Sequence, residues 1–387
     1  MQLLNKISPQ VITPAFIYDE AGIIQNINNV KKCINDDVCQ VLFPLKSFSL
    51  IDALSLIGAS VNGFSVSSLF EARLAQQVLG DNKSIHLTTP GLRADEIVEL
   101  SSICDFMSFN SLPQYGRFQK LAVGKVSCGL RVNPQLSFLQ DKRYDPCRIQ
   151  SKLGIPLTIL EEKLKNHSLA IEDIKGIHFH TNCESTELDQ LISTLVHIEK
   201  HLSELLRKID WINVGGGYLF QNRDGMNRLA KTLFLLRNRY DIKIFFEPGK
   251  AIVGSAGYIV STVIDLFEND SRIIAVLDTS VNHMPEIFEY QYKPAIMQES
   301  SKGKYKYILA GSTCLAGDVF GMYKFKEPLR LGSQIIFENV GAYTLVKANM
   351  FNGLNLPNIY SFNQNNSVVL KKKFSYEEYI SRCGGSL

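Results

Sequence analysis

The stretch Val41-Leu42-Phe43-Pro44-Leu45-Lys46-Ser47-Phe48-Ser49 is a short apolar run that ends on a single lysine. A run of this length beside a proline predicts a buried strand, with Lys46 projecting from the strand's end into whatever cavity lies there. A buried ammonium loses hydration and its pKa falls, leaving a neutral amine able to attack a carbonyl and form a Schiff base. Residue type alone favours the plainer alternative, a lysine that snorkels to solvent from a strand edge. The surrounding sequence decides between them.

Upstream, Thr13-Pro14 precedes Ala15-Phe16-Ile17-Tyr18, a short strand, and Asp19 opens a helix with apolar positions at Ile23, Ile24, Ile27 and Val30. Downstream, Ile51 to Ile57 reads as a helix and Val61–Ser65 as a second strand. Ser67 or Ser68 would cap a helix that stops at Gly80. Further strands are predicted at Ser84–Leu87, Phe106–Phe109, Ser127–Val132, Gly176–His180, Trp211–Val214 and Lys243–Phe246. Amphipathic stretches at Asp95–Leu100, Leu112–Leu121 and Leu188–Ile209 lie between them. Strand and helix in alternation imply a parallel sheet with helical crossovers. About eight strands is the number that closes a barrel; an open doubly wound sheet is the alternative.

Beyond Gly254 the texture becomes β-rich, at Tyr258–Phe267, Arg272–Asp278, Tyr305–Ala310 and Ser333–Glu338. The expected fold class is therefore α/β, a (β/α)8 barrel over residues 20–260 with a second, all-β domain built from 1–19 and 261–387.

Composition narrows the function. Hydrophobic residues make up 45% and charged residues 20%, which is ordinary for a globular protein with a sizeable core. The formal net charge of +3, from 41 Lys+Arg against 38 Asp+Glu, gives no cationic excess for nucleic acid. No signal-peptide core precedes the first strand and no apolar run reaches spanning length, so the expectation is a cytoplasmic protein without a membrane partner. The eight cysteines form no CxxC pair, neither a disulfide framework nor a zinc site, and no metal is expected.

The chemistry gathers at the predicted strand ends. In order these carry Lys46, Ser65, Arg131 with Asn133, His178 and His180, Gly215-Gly216-Gly217, and Glu247-Pro248-Gly249-Lys250. In a parallel barrel those ends share one face, where active sites are built. Three glycines after a strand let backbone amides approach an anion such as phosphate, though a tight turn explains them equally well. Glu247 is either a surface carboxylate or the partner of a protonated heterocyclic nitrogen. His180 is either a satisfied core histidine or a ring stacked on a flat cofactor. A lysine for an aldehyde, glycines for a phosphate and a carboxylate for a pyridinium together match pyridoxal 5′-phosphate.

The chain resembles the alanine racemase-like, fold type III group of pyridoxal phosphate enzymes that holds the ornithine and diaminopimelate decarboxylases. Within it, the chain is most similar to the carboxynorspermidine decarboxylases. The resemblance runs through Thr13–Asp19, Ser67–Leu74, Tyr144-Asp145-Pro146-Cys147, Ser151–Gly154, His178-Phe179-His180-Thr181-Asn182-Cys183-Glu184, Asn213–Gly217, Glu247-Pro248-Gly249, His283-Met284-Pro285, Thr313–Asp318 and Gly341–Thr344. It implies a homodimer with shared active sites. Lys46 would be the Schiff-base lysine, Glu247 the pyridine-nitrogen partner and His180 the stacking histidine. Gly215, Gly216, Gly217 and Tyr343 would contact the phosphate, with Arg131 and Cys183 near the cofactor. Cys314 would enter from the partner subunit as proton donor, with Asp318 in its loop.

Two positions depart from the pattern: Thr181 replaces an asparagine, and Lys250 stands where the resemblance implies glutamate or arginine. Lys250 would meet either the cofactor phosphate or a distal anion on the substrate. His283, Glu286 and Glu289, in the predicted loop Asp278–Tyr292, would meet substrate amines or simply be solvated. The implied reaction is decarboxylation of carboxynorspermidine or carboxyspermidine in polyamine synthesis. Lys250 motivates the alternative, decarboxylation of a citrate-conjugated amino acid of the citryl-ornithine type in siderophore assembly. Racemisation is a third reading, disfavoured by the Cys314 loop.

Overall fold

The computed structural model describes residues 11–35, 37–80, 83–169, 172–365 and 367–385. Of the segment 1–19 assigned to the β domain, residues 1–10 lie outside the described residues. The chain divides into two compact units, one spanning Ile24–Ile252 and one combining the described residues up to Ile23 with those from Val253 onward.

After β1 (Ala15–Asp19), the first unit carries β2 (Cys39–Pro44), β3 (Gly63–Val66), β4 (Ser84–Thr89), β5 (Phe106–Phe109), β6 (Ser127–Asn133), β7 (Ile155–Pro156), β8 (Gly176–His178), β9 (Trp211–Asn213) and β10 (Lys243–Phe246). All of the pairings among β2 to β10 are parallel. The order β2-β3-β4-β5-β6-β8-β9-β10 returns from β10 to β2, so eight strands close a barrel, and the two-residue β7 hangs from β6.

Local signals explain the crossovers. Ser68 Oγ accepts from the Glu71 amide at the start of the helix Leu69–Leu79, and Gly80 ends it with φ +59. Ser111 caps Leu112–Ala122 and Asn222 caps Arg223–Tyr240. The last of these helices is missing from the sequence reading. Its buried stripe, Leu229, Leu233 and Leu236, is narrow within a polar helix.

The barrel interior is closed from below by aromatic rings. Trp211, Phe245 and Leu42 pack together with Phe106 against them, and His86 stacks on Phe106 at 4.1 Å. Glycine makes room for the indole: a Cβ at Gly129 or Gly176 would stand 2.6 or 2.0 Å from Trp211 ring atoms.

The second unit is built on β11 (Gly257–Asn269), β12 (Arg272–Leu277), β13 (Tyr305–Ala310), β14 (Val319–Phe325), β15 (Gln334–Glu338), β16 (Asn358–Phe362) and β17 (Val368–Lys372). The sheet runs β14-β13-β12-β11-β1-β16-β17, with β15 also paired to β11. β11 begins at Gly257 and its first half pairs with β1 and β15, so the whole strand belongs to this sheet. Ala15, Ile17, Val260, Ile336, Tyr360 and Phe362 form its core. The segment Asp278–Tyr292 is not an open loop as expected: it holds a 3-10 turn, Val281–His283, and a short helix, Pro285–Tyr290. No helix among the described residues is long and apolar enough to cross a membrane.

Candidate active site

Lys46 lies just past the end of β2, in a 3-10 turn, Leu45–Ser47, that Pro44 opens. Its side chain is exposed, which corrects the expectation of a buried lysine. The strand stops at Pro44 and the turn buries Leu45 and Ser47, leaving Lys46 outside the packed layer. Its charge still acts on the barrel's carboxyl end, disfavouring the protonated forms of His180 and His178 and opposing the burial that raises Glu71.

Register builds the next layer. Arg131 on β6 is opposite His178 on β8, which is opposite Asn213 on β9. All three are buried. Burial brings the Arg131 guanidinium down to about 10, against the pull of Glu247 and Cys147 in the other direction. Asn213 Nδ2 donates to Glu247 Oε1 at 2.8 Å, and Asn213 Oδ1 accepts from the Gly215 amide at 2.9 Å. Glu247, only 4% exposed, is thus held from one side by a fixed amide and faces the Arg131 cation.

The glycine turn is required sterically. A Cβ at Gly215 would lie 2.3 Å from the Phe179 carbonyl oxygen, one at Gly216 1.9 Å from that of Glu247, and one at Gly217 2.0 Å from that of Asn182. Gly215 and Gly217 also have positive φ, +69 and +86. The Gly216 amide donates to His180 Nδ1 at 3.0 Å, which fixes that nitrogen as an acceptor. Desolvation, then Lys46 and Arg131, hold the His180 pKa well below its usual value, so the ring is neutral. Two of the three glycine amides are therefore spent on Asn213 and His180, which corrects the picture of three donors waiting for an anion. Gly216→Ala is expected to cost about 1–3 kcal/mol, the range for overpacking, and to weaken cofactor retention. Urea unfolding and dialysis of the loaded enzyme would check both.

Around this turn lies a network with no clear mark in the sequence. Thr181 Oγ1 and Tyr218 OH are 2.9 Å apart, and Asn182 Nδ2 donates to Tyr218 OH and Gln190 Oε1. Cys147 Sγ donates to the His180 carbonyl at 3.6 Å. Cys183 is half-buried, its amide against the Gly217 position. Lys250 Nζ meets Glu184 Oε1 at 2.5 Å. That pairing joins the β8 and β10 loops and compensates the charge that suggested an anionic substrate tail.

The remaining expected residues belong to the other unit. Cys314 is exposed, and its amide donates to Asn352 Oδ1 at 2.8 Å. Asp318 is buried with both carboxylate oxygens engaged, Oδ1 by the Val281 amide and Oδ2 by the amide and hydroxyl of Thr313. It shapes the 311–318 loop from within. His283 is fully buried with Nδ1 2.9 Å from Thr279 Oγ1, and burial lowers it to about 4 against the opposing pull of Asp318. It is neither solvated nor placed to meet an amine. Glu286 and Glu289 both pair with Lys347, at 3.5 and 2.5 Å. Lys347 also lies 5.7 Å from the centre of the Tyr343 ring, whose residue has φ +57.

An amine, a buried carboxylate and a glycine turn at one end of a parallel barrel set out the chemistry; comparison with known proteins sets out the lineage. Residues 20–254 match the family described as pyridoxal-dependent decarboxylase, pyridoxal binding domain. The chain belongs to this family. It is 34% identical over 378 residues to carboxyaminopropylagmatine decarboxylase from Synechocystis sp., covering 96% of this chain and 95% of the relative. It is 32% identical over 390 residues to carboxynorspermidine/carboxyspermidine decarboxylase from Campylobacter jejuni, covering 96% and 99%. The crystal structure of carboxynorspermidine decarboxylase complexed with norspermidine, from the same organism, superposes with a TM-score of 0.86 at 30% identity, covering 96% and 100%. Diaminopimelate decarboxylase from Helicobacter pylori, at 21% identity and a TM-score of 0.85, shares the fold.

The chain is thus a pyridoxal phosphate-dependent carboxy-lyase of fold type III. Its residues fit the cofactor. Exposed Lys46 offers an amine, buried Glu247 a carboxylate fixed by Asn213, and the glycine turn a tight backbone bend that only glycine fits against the Phe179, Glu247 and Asn182 carbonyls. His178 adds two buried ring nitrogens without a hydrogen-bond partner among the described residues.

Proposed function

We propose that this decarboxylase removes the α-carboxylate from the amino-acid end of a carboxylated polyamine, as in polyamine synthesis. The observation that carries the reading is similarity along 96% of the chain, at 32–34% identity, to relatives whose names specify such substrates. The Lys250–Glu184 pair supports it, because a cationic tail meets a compensated charge there and not a bare lysine.

When bound, pyridoxal 5′-phosphate supplies an electron-poor ring that accepts the electron pair left behind as CO2 departs. Lys46 provides the amine that holds the aldehyde and later releases product. Glu247 keeps a proton at the ring nitrogen, and Arg131 balances its charge. His180, neutral and fixed by the Gly216 amide, would stack against the ring. Gly215, Gly216 and Gly217 would hold the phosphate, with Cys183 near the cofactor. The Cys314 thiol, from the partner subunit of a homodimer, delivers a proton to Cα, replacing the C–CO2 bond with C–H, and regains its proton from water. Cytoplasmic placement suits this role, since none of the eight cysteines is joined in a disulfide.

CO2 release from carboxynorspermidine, carboxyspermidine and carboxyaminopropylagmatine, run beside diaminopimelate, tests the substrate. The expected kcat/KM preference for the best carboxypolyamine is at least about 10²-fold. A preference for diaminopimelate would overturn the reading. A citryl-ornithine conjugate should be a poor substrate as well, because the lysine that pointed to it is already paired.

Shared sites have their own test. Lys46→Ala and Cys314→Ala homodimers should each be nearly inactive. When they are mixed under subunit exchange, about a quarter of wild-type turnover should return, since half the dimers are hybrids with one intact site. No recovery, with exchange shown by tagged subunits, would rule out a Cys314 contribution in trans.

A further inference from the structure

β8 is three residues long, and its alternation fixes what faces the barrel interior. The Gly176 Cβ position falls on the Trp211 indole, so Gly176 points inward, and His178, two residues on, points inward one layer higher. His178 is 2% exposed, and neither ring nitrogen has a hydrogen-bond partner among the described residues. Buried polar atoms are normally paired. The register shows why its two strand neighbours do not take up the ring N–H. On one side stands Arg131, which can only donate. On the other stands Asn213, whose Nδ2 is committed to Glu247 and whose Oδ1 already accepts from Gly215. Arg131, His180, Lys46 and His86 are the charged and titratable groups that bear on the ring, and together with burial they keep it neutral. A neutral imidazole offers one N–H donor and one acceptor.

The cofactor carries four polar groups. The aldehyde falls to Lys46, the pyridine nitrogen to Glu247, and the phosphate to the glycine turn and its neighbours. The fourth is the ring hydroxyl, which ionises and is bonded to the carbon next to the aldehyde-bearing one. We propose that His178 donates its ring N–H to this oxygen, making it a further cofactor contact in the row between Arg131 and Asn213. The inference rests on the assignment of Lys46 and Glu247 above.

The test compares cofactor-loaded wild type with His178→Leu, His178→Asn and His178→Gln. Each is titrated by its visible absorbance near about 420 nm, and cofactor affinity is measured by reconstituting dialysed protein. A donor to the ring oxygen stabilises its anionic form, so losing it should raise the pH midpoint of the band. For His178→Leu the expected rise is about one unit, with cofactor bound about tenfold more weakly. Asn or Gln, whichever places its amide where the imidazole N–H stood, should restore both values. A His178→Leu enzyme with the wild-type midpoint and affinity overturns the proposal. Should that variant not fold, the amide pair decides: unequal midpoints for Asn and Gln support it, and equal ones overturn it. Failure of the underlying assignment looks different, because the wild-type band would then persist in Lys46→Ala.

Discussion

Lys46→Ala is expected to abolish both CO2 release and the visible absorbance of the loaded enzyme, with turnover falling by about 10⁴–10⁶-fold, the scale of removing a nucleophile. The turn after β2 leaves Lys46 exposed beyond the packed strand, beside the neutral histidines of β8 and its loop. Its ammonium also acts on Glu71, His178 and His180. Losing that charge is a second consequence of the alanine variant, separable from the loss of the amine. Lys46→Arg separates them, because arginine keeps the positive charge but gives no neutral amine at working pH. Both variants should lack the band and the activity. An arginine variant that retained either would show that Lys46 acts as a charge and not as the attacking group.

The barrel could be read from the sequence because its strands are short, apolar and separated by helix caps. Phe106–Phe109 and Lys243–Phe246 were expected with the bounds they have. β17 was missed because four of its five residues, Val369, Leu370, Lys371 and Lys372, are exposed and give no buried pattern. At the site, Lys46, His180 and Glu247 stood out because chemistry at strand ends is a sequence-level signal. The pairing of Lys250 with Glu184 spans 66 positions, and Asn213 holds Glu247 across 34; no local pattern carries such contacts. The burial assigned to Lys46 failed for a local reason, since the strand ended two residues before it. His283 and Asp318 were legible as residue types but not in their contacts: His283 Nδ1 lies against Thr279, and both Asp318 oxygens are taken by Val281 and Thr313 inside the same unit.

Glu247→Gln is the change that tests the electron sink with the least disturbance of the fold. The glutamine oxygen can still accept from Asn213 Nδ2, so the bond now 2.8 Å long survives, and the shape of the side chain is kept. What disappears is the negative charge that holds a proton at the ring nitrogen and faces buried Arg131. The expected result is a fall in kcat of about 10²–10⁴-fold, as for loss of a general acid–base group, with KM little changed. Glu247→Ala goes further. It also leaves Asn213 Nδ2 without its acceptor, and a buried donor left unsatisfied costs about 1–3 kcal/mol. Steady-state kinetics and urea unfolding of both variants should therefore diverge, with Gln losing rate alone and Ala losing rate and stability. Near-normal kcat in Glu247→Gln would mean that the ring nitrogen is served by another group, and the role given to this carboxylate would fall.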